Sequence, residues 1–277
     1  MASVFDQMLS RYEITTTRDR QNALREVMHL VALSGLHRAG FFDKAAFYGG
    51  TCLRIFHKLP RFSEDMDFSL LKPDDSFTLE DYFEPLQNEF GLFGREIQIQ
   101  VKKKSMDTQI ESAFLKDNTE LVNLEFQTER SVKIKIEVDK NLPMGFTTEF
   151  RLQLLPYSFM TRCFDLPGLF AGKMHALLFR GWKSRVKGRD WYDFEWYIKN
   201  GYSLDFSHLK ERSIQSGHRG KREFSEDIFK ELLKVKIGST SFEKAREDVK
   251  PFIKHHEELD IWSVEYFQQL SDMITIV

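Results

Sequence analysis

The sequence predicts an α/β (α+β) fold, a mixed β-sheet flanked by helices and followed by a mostly helical C-terminal domain. Three observations carry this prediction. Stretches that alternate in polarity at period two recur between residues 65 and 155, the spacing of half-buried strands. An amphipathic helical pattern precedes them over 18–38. After Pro156 the strand signals give way to helical periodicity, so the boundary is placed near 155, giving domains 1–155 and 156–277.

Taken in order, Leu24, Val27, Met28 and Val31 recur at helical spacing among Arg and Glu residues. AAFYGG then reads as a strand entering a glycine turn, and TCLRIFHK as a short helix with Thr51 near its N-terminus. In SEDMDFSL, Met66, Phe68 and Leu70 share one face, and Asp65, Asp67 and Ser69 the other. A helix over 79–89 is opened by Thr78, with Asp81 three residues on as a weak capping box. Residues 95–104, 121–127, 131–139 and 149–155 complete the predicted strands. DLPGLFAGKMHALLFR, the segment around WYDFEWYI and most of 205–277 are predicted helical.

Composition narrows the function classes. In 277 residues, 42% apolar and 14% aromatic content supports a substantial core. A net charge of −2 excludes a global basic field, so any nucleic-acid contact must come from local patches. Cys52 and Cys163 lie far apart in the chain and make neither a disulfide framework nor a thiolate metal site. The N-terminal residues lack the apolar core of a signal peptide and no run approaches a membrane span, which points to the cytoplasm and away from a membrane partner.

The chemistry concentrates in GGTCLRIFHKLPRFSEDMDFSL, residues 49–70. Asp65 and Asp67, two apart on a strand, project from one face. Two adjacent carboxylates repel unless a cation neutralises them, and hard oxygen ligands suit Mg2+, with two ions and Mn2+ as a substitute. Such a clamp serves nucleotidyl and phosphoryl transfer. Gly49 and Gly50 let backbone approach a phosphate, and Thr51 with the following amides can donate to a triphosphate. Arg61 and Ser63 lie on the same approach, placed to orient the carboxylates or touch phosphate oxygens. Alone, GG is a turn and D-x-D a solvated edge; in this order along the chain the functional reading outweighs both.

A third carboxylate is expected on a neighbouring strand. In SVKIKIEVD, Ile134, Ile136 and Val138 face one way and Lys133, Lys135, Glu137 and Asp139 the other. Glu137 is mid-strand and Asp139 near the end, which favours Glu137 without removing Asp139. Farther on, Lys173, Leu177 and Arg180 share a helix face, and Lys183, Arg185, Lys187 and Arg189 form a run without acids. Asp190 and Asp193 then open a second helix, where carboxylates suit the dipole. The competing explanation is a solvated basic loop closed by an acidic cap. The cations Lys210, Arg212, Arg219, Lys221 and Arg222 read as a solvated face or an RNA-phosphate surface. The eight histidines, His175, His255 and His256 among them, form no ligand set.

These residues, from RDRQNALREVMHLVALSGL through FYGGTCLRIF, RFSEDMDFSL, KIKIEV, GKMHALLFR and KGRDWYDFEWYI, resemble the AbiEii/AbiGii toxin-like nucleotidyltransferases of the DNA polymerase β-like superfamily. The resemblance covers roughly 20–200. It implies a nucleotidyltransferase fold in which Gly49, Gly50, Thr51, Asp65 and Asp67 match the triphosphate- and metal-binding motif. It matches Glu137 to the later carboxylate and Lys173 to the helix lysine. Asp193 matches the aspartate of the R-D-x-Y-D segment, beside Arg189 and Asp190. The implied protein is the toxin of a toxin–antitoxin or phage-defence pair that transfers an NMP from an NTP to a tRNA end, another RNA or a protein. Its partners are then the NTP, the acceptor and a cognate antitoxin, with Lys173 and Asp193 contributed to the cleft by the helical domain. Two alternatives stand beside it: kinase-like phosphoryl transfer to protein from the same site, and a nucleotide- or antitoxin-binding module without turnover.

Overall fold

The computed structural model describes residues 3–101, 119–126, 132–141, 145–180, 186–218 and 224–277. The chain forms two compact units, the first comprising Met1–Lys58, Phe62–Met144 and Thr148–Cys163, the second Leu59–Arg61, Gly145–Thr147 and Phe164–Val277. The elements in chain order are α1 (Val4–Leu9), α2 (Thr17–Arg38), β1 (Ala45–Tyr48), α3 (Gly49–His57), β2 (Asp65–Leu70), α4 (Phe83–Leu92), β3 (Ile97–Val101), β4 (Thr119–Phe126), β5 (Val132–Asp139), β6 (Thr148–Gln153) and β7 (Phe159–Phe164). Then follow α5 (Leu166–Phe179), α6 (Gly188–Lys199), α7 (Phe206–Gln215), α8 (Glu226–Gly238), α9 (Phe242–Val249) and α10 (Val264–Asp272).

The first unit is built on a seven-stranded sheet in the order β3-β4-β5-β2-β1-β7-β6. It is mixed: β1 and β2 run antiparallel, β2 and β5 parallel, and β1 and β7 parallel. Helix α2 starts where the sequence places it because Thr16 and Asp19 form a reciprocal capping box. Its Val27, Met28, Val31 and Leu33 are fully buried, and α2 packs against β5 and α4. The core beneath is aromatic. Phe47 stacks on Phe68 at 4.8 Å, and Phe41 meets Phe68 and Tyr82 edge-on at 5.0 Å. Cys52 and Cys163, remote in sequence, are both buried and free. Burial and the neighbouring Cys163 thiol push the Cys52 thiol up.

Three expectations are corrected here. The predicted boundary near 155 gives way to one after Cys163, because β7 is a further strand paired with β1. FMTRCF escaped the period-two reading because Thr161, a polar residue, is fully buried and breaks the apolar alternation. The Thr78 cap accepts from Glu80 at 3.2 Å and opens a 3-10 turn, Leu79–Tyr82, ahead of α4. Residues 102–104, 127 and 131 of the predicted strands lie outside the described residues.

The second unit is helical. Asp165 caps α5 by accepting the Gly168 N–H at 2.9 Å, and α5 packs against α6 and α7. Helix α6 runs against α9 so closely that a Cβ at Gly188 would collide with the Ala245 carbonyl. Phe242 stacks on Phe267 at 4.5 Å, with Trp191 edge-on to both. The buried Glu195 carboxylate is satisfied by Trp262 Nε1 at 2.9 Å and Tyr266 Oη at 2.6 Å. Among the described residues no helix is long and apolar enough to cross a membrane.

Candidate active site

In the first unit the site grows from β2. Its burial alternates at first, so Met66 and Phe68 enter the core while Asp65 and Asp67 stay half-buried on the opposite face. Ser69, expected beside the aspartates, is fully buried. On β5 the same alternation buries Ile134, Ile136 and Val138 and leaves Lys133, Lys135, Glu137 and Asp139 on the outer side. Parallel pairing sets Asp67 opposite Glu137, Asp65 opposite Lys135, and Ser69 opposite Asp139. Strand partners lie about 5 Å apart, so Asp65, Asp67 and Glu137 share one face. Register thereby separates Glu137 from Asp139, whose carboxylate instead accepts the Asn141 N–H at 2.9 Å.

Gly49 and Gly50 open α3. Gly49 has φ +80°, a left-handed conformation that favours glycine, and a Cβ there would collide with Oδ2 of Asp67. The predicted close approach at this glycine is thus made by the Asp67 carboxylate. Tyr48 at the N-cap makes no side-chain capping bond. Thr51 departs from expectation. It is fully buried, and its hydroxyl donates to the Asp65 carbonyl. That bond ties the first turn of α3 to the start of β2 and spends the hydroxyl expected to reach a phosphate. Ser63 is half-buried just before β2.

Three carboxylates on one half-exposed face, adjacent by register, suit a divalent cation in donor chemistry. Among the described residues, no three carboxylate, imidazole or thiol groups are already gathered into a ligand set. The Glu137 carboxylate is paired with the Lys135 ammonium.

The second unit holds a different arrangement. Arg61 is 2% exposed and grips the fully buried Asp193 through two bonds, Nε to Oδ1 at 2.5 Å and Nη2 to Oδ2 at 2.6 Å. Lys173 Nζ lies 2.7 Å from Oδ2 of Asp193 and 2.8 Å from Oδ1 of Asp190. Two cations and two carboxylates thus close on one another. Burial opposes ionisation of both acids, but Arg61 and Lys173 outweigh it and hold Asp193 below the usual carboxylate range. The charges of Lys173, Lys187 and Arg180 likewise hold Asp190 at about 2 against its burial. By sequence, Arg61 is placed to orient the Asp65 and Asp67 carboxylates or to touch phosphate oxygens. Its burial and bidentate pairing correct that reading, because its donors are engaged by a carboxylate away from solvent. Asp190 is likewise buried against Lys173 rather than open to a nucleotide, and the Arg189 guanidinium lies 4.1 Å over the Phe252 ring.

The partnership of Arg61 with Asp193 was missed because 132 positions separate them and no local pattern links them. Lys187, at the N-cap of α6, was also passed over. Burial lowers it to about 8, with Arg180, Lys173 and Arg189 adding to the effect while Asp190 opposes it. Its only signal in the sequence was the acid-free run around it. Lys183 and Arg185 of that run, and Arg219, Lys221 and Arg222 farther on, lie outside the described residues. His175 is buried, with Nε2 3.0 Å from the Ser216 hydroxyl, as expected of a packed histidine.

Comparison with known proteins adds the following. Residues 31–270 match the family model described as nucleotidyl transferase AbiEii toxin, type IV TA system. No curated protein matches. Among solved structures, JHP933 from Helicobacter pylori is similar at TM-score 0.51 and 18% identity, covering 91% of this chain and 90% of that one. MenT4, a nucleotidyltransferase toxin from Mycobacterium tuberculosis H37Rv, is similar at TM-score 0.50 and 14% identity, covering 97% and 99%. At such identities the structural likeness speaks for the fold.

Proposed function

This chain belongs to the AbiEii nucleotidyl transferase toxin family, and from that premise we propose that it transfers an NMP from an NTP to a macromolecular acceptor, with Asp65, Asp67 and Glu137 holding Mg2+. The observation that carries this reading is the pairing of Asp67 with Glu137, one strand apart and on the face of Asp65, beside the first turn of α3. The bound cation supplies positive charge to phosphoryl oxygens and acidifies the acceptor hydroxyl. Glu137 would release Lys135 on holding such an ion. The first-turn amides of α3 face the triphosphate, since a helix N-terminus favours anions. Within the second unit Asp193, held by Arg61, fixes the direction of Lys173, the residue matched to the family's helix lysine. The acceptor class we favour is RNA, tRNA ends included, and an antitoxin partner follows from the family's type IV system.

The test is incubation of the purified protein and Mg2+ with each α-labelled NTP, total RNA and protein extract. Label in RNA that vanishes in Asp67→Asn is the expected result. Label entering a macromolecule from γ-labelled but not α-labelled NTP would establish phosphoryl transfer instead. Absence of any product under all conditions would leave a binding module.

A further inference from the structure

Strand β6 ends the sheet, and among the described residues no strand pairs with its outer edge. Such an edge presents a row of backbone donors and acceptors ready for another strand, and soluble proteins usually blunt it with charge, proline or a covering element. One face of β6, continued by Leu154 just beyond its end, is apolar. Phe150, Leu152 and Leu154 are 53%, 58% and 63% exposed, and Met160 on the adjoining β7 is 40% exposed. The Arg162 guanidinium lies 4.7 Å from the Phe150 ring and broadens the same surface. On the other face of the strand, Glu149 and Arg151 form an ion pair, Nη2 to Oε1 at 2.7 Å.

We propose that β6 is the interface of a symmetric dimer, in which the β6 strands of two copies of this chain pair antiparallel and join their sheets into one. The sequence of the strand selects both partner and register. Keeping the apolar residues of both copies on one face requires the two-fold axis to pass through a residue, since a shift by one position turns every side chain over. Centred on Glu149 or Arg151, the pairing opposes like charges. Centred on Leu152, it sets Arg151 against Gln153 and leaves Glu149 without a basic partner. Centred on Phe150, it places Glu149 opposite Arg151 of the second copy, twice by symmetry, and Phe150 against itself, with Leu152 opposite Thr148. Thr-Glu-Phe-Arg-Leu is thus self-complementary, which is the requirement of an isologous interface. A single strand pair buries less than the ~1,600 Å² of a standard stable interface, so the dimer is concentration-dependent.

The test is sedimentation velocity of the full chain from about 1 to about 100 µM. The mass is expected to rise from 32.7 kDa toward twice that value. Arg151→Glu or Glu149→Arg alone creates two like-charge pairs and should weaken the dimer about tenfold or more. The double reversal Glu149→Arg with Arg151→Glu restores the pairing and should return association to within about threefold of the parent. Far-UV circular dichroism of each variant, expected unchanged because both side chains are half-exposed, separates loss of pairing from loss of fold. A monomer at every concentration overturns the proposal. So does a dimer indifferent to the single reversals, or one the double reversal fails to restore.

Discussion

The two charged clusters of this molecule are built on opposite principles. On the β2–β5 face, Asp65, Asp67 and Glu137 stand half-exposed with carboxylate beside carboxylate, and Glu137 pairs with Lys135. In the helical unit, Arg61, Asp190 and Asp193 are buried beside the partly exposed Lys173 and the set is balanced, two positive against two negative. The first arrangement costs the fold repulsion and leaves room for a cation; the second satisfies itself. A buried ion pair is worth little net stability, but removing one member exposes the desolvation cost of the other. Like-charged groups at a surface are the reverse: losing one relieves the fold and disables what the charges bind. The comparison teaches that acidic residues of similar motif standing differ in burial and partners: Asp190 and Asp193 are buried against cations, whereas Asp65, Asp67 and Glu137 stay half-exposed.

The largest expected effect breaks the open cluster. Asp65→Asn or Asp67→Asn should lower NMP transfer by about a thousandfold or more, as loss of charge stabilisation at the reacting phosphate does. Thermal stability should stay level or rise in the same variants. A melting temperature that falls sharply would show these carboxylates to be structural, and retained transfer would sink the metal-site reading.

The closed cluster should respond the other way round. Asp193→Asn leaves Arg61 with uncompensated buried charge while Lys173 keeps Asp190, and is expected to cost about 3–5 kcal/mol of stability in a denaturant titration. Replacing both partners with apolar residues, Arg61→Met with Asp193→Leu, should recover much of that stability while transfer stays impaired because Lys173 is no longer aimed. Full recovery of transfer in the double variant would remove Asp193 from any positioning role.

Acid probes the closed cluster through Asp190. Asp190 has its carboxyl held at about 2 in the folded chain, below its unfolded value of about 3.9. Its contribution, on the order of 2 kcal/mol, is therefore present above about pH 4 and lost as pH falls toward 2. Stability measured in Asp190→Asn should lose that part of its acid dependence; an unchanged profile would contradict the ion pairing. The smallest effect sharpens the choice between neighbours on β5. Asp139→Asn should change transfer by less than about threefold, whereas Glu137→Gln should cost about a hundredfold or more. Equal effects would mean that the register with β2 does not select the ligand.

Much of this was readable along the chain. The alternation in SEDMDFSL and SVKIKIEVD separated apolar core faces from charged faces, because strand geometry fixes which side each residue takes whatever lies beyond it. The helices at 18–38 and around 166–179 announced themselves through periodicity. FMTRCF did not announce itself as a strand, since its place in the sheet depends on β1, more than a hundred residues earlier in the chain, and on burying Thr161. Thr51, Arg61 and Asp190 were read as contacts for a nucleotide because their types suit phosphate or its neighbours. Residue type states what a side chain can bind, and only the fold states what it already holds.

The sequence by itself thus determined the elements, the faces of the strands and the chemical character of the acidic pair, all properties set by neighbours within a few residues. The tertiary structure alone decided that Glu137 rather than Asp139 stands opposite Asp67, that Gly49 yields its space to the Asp67 carboxylate, and that Arg61 closes on Asp193. Those outcomes rest on strand register and on burial. Both arise when segments remote in the chain are brought together, and no local pattern of residues encodes the partner each will meet.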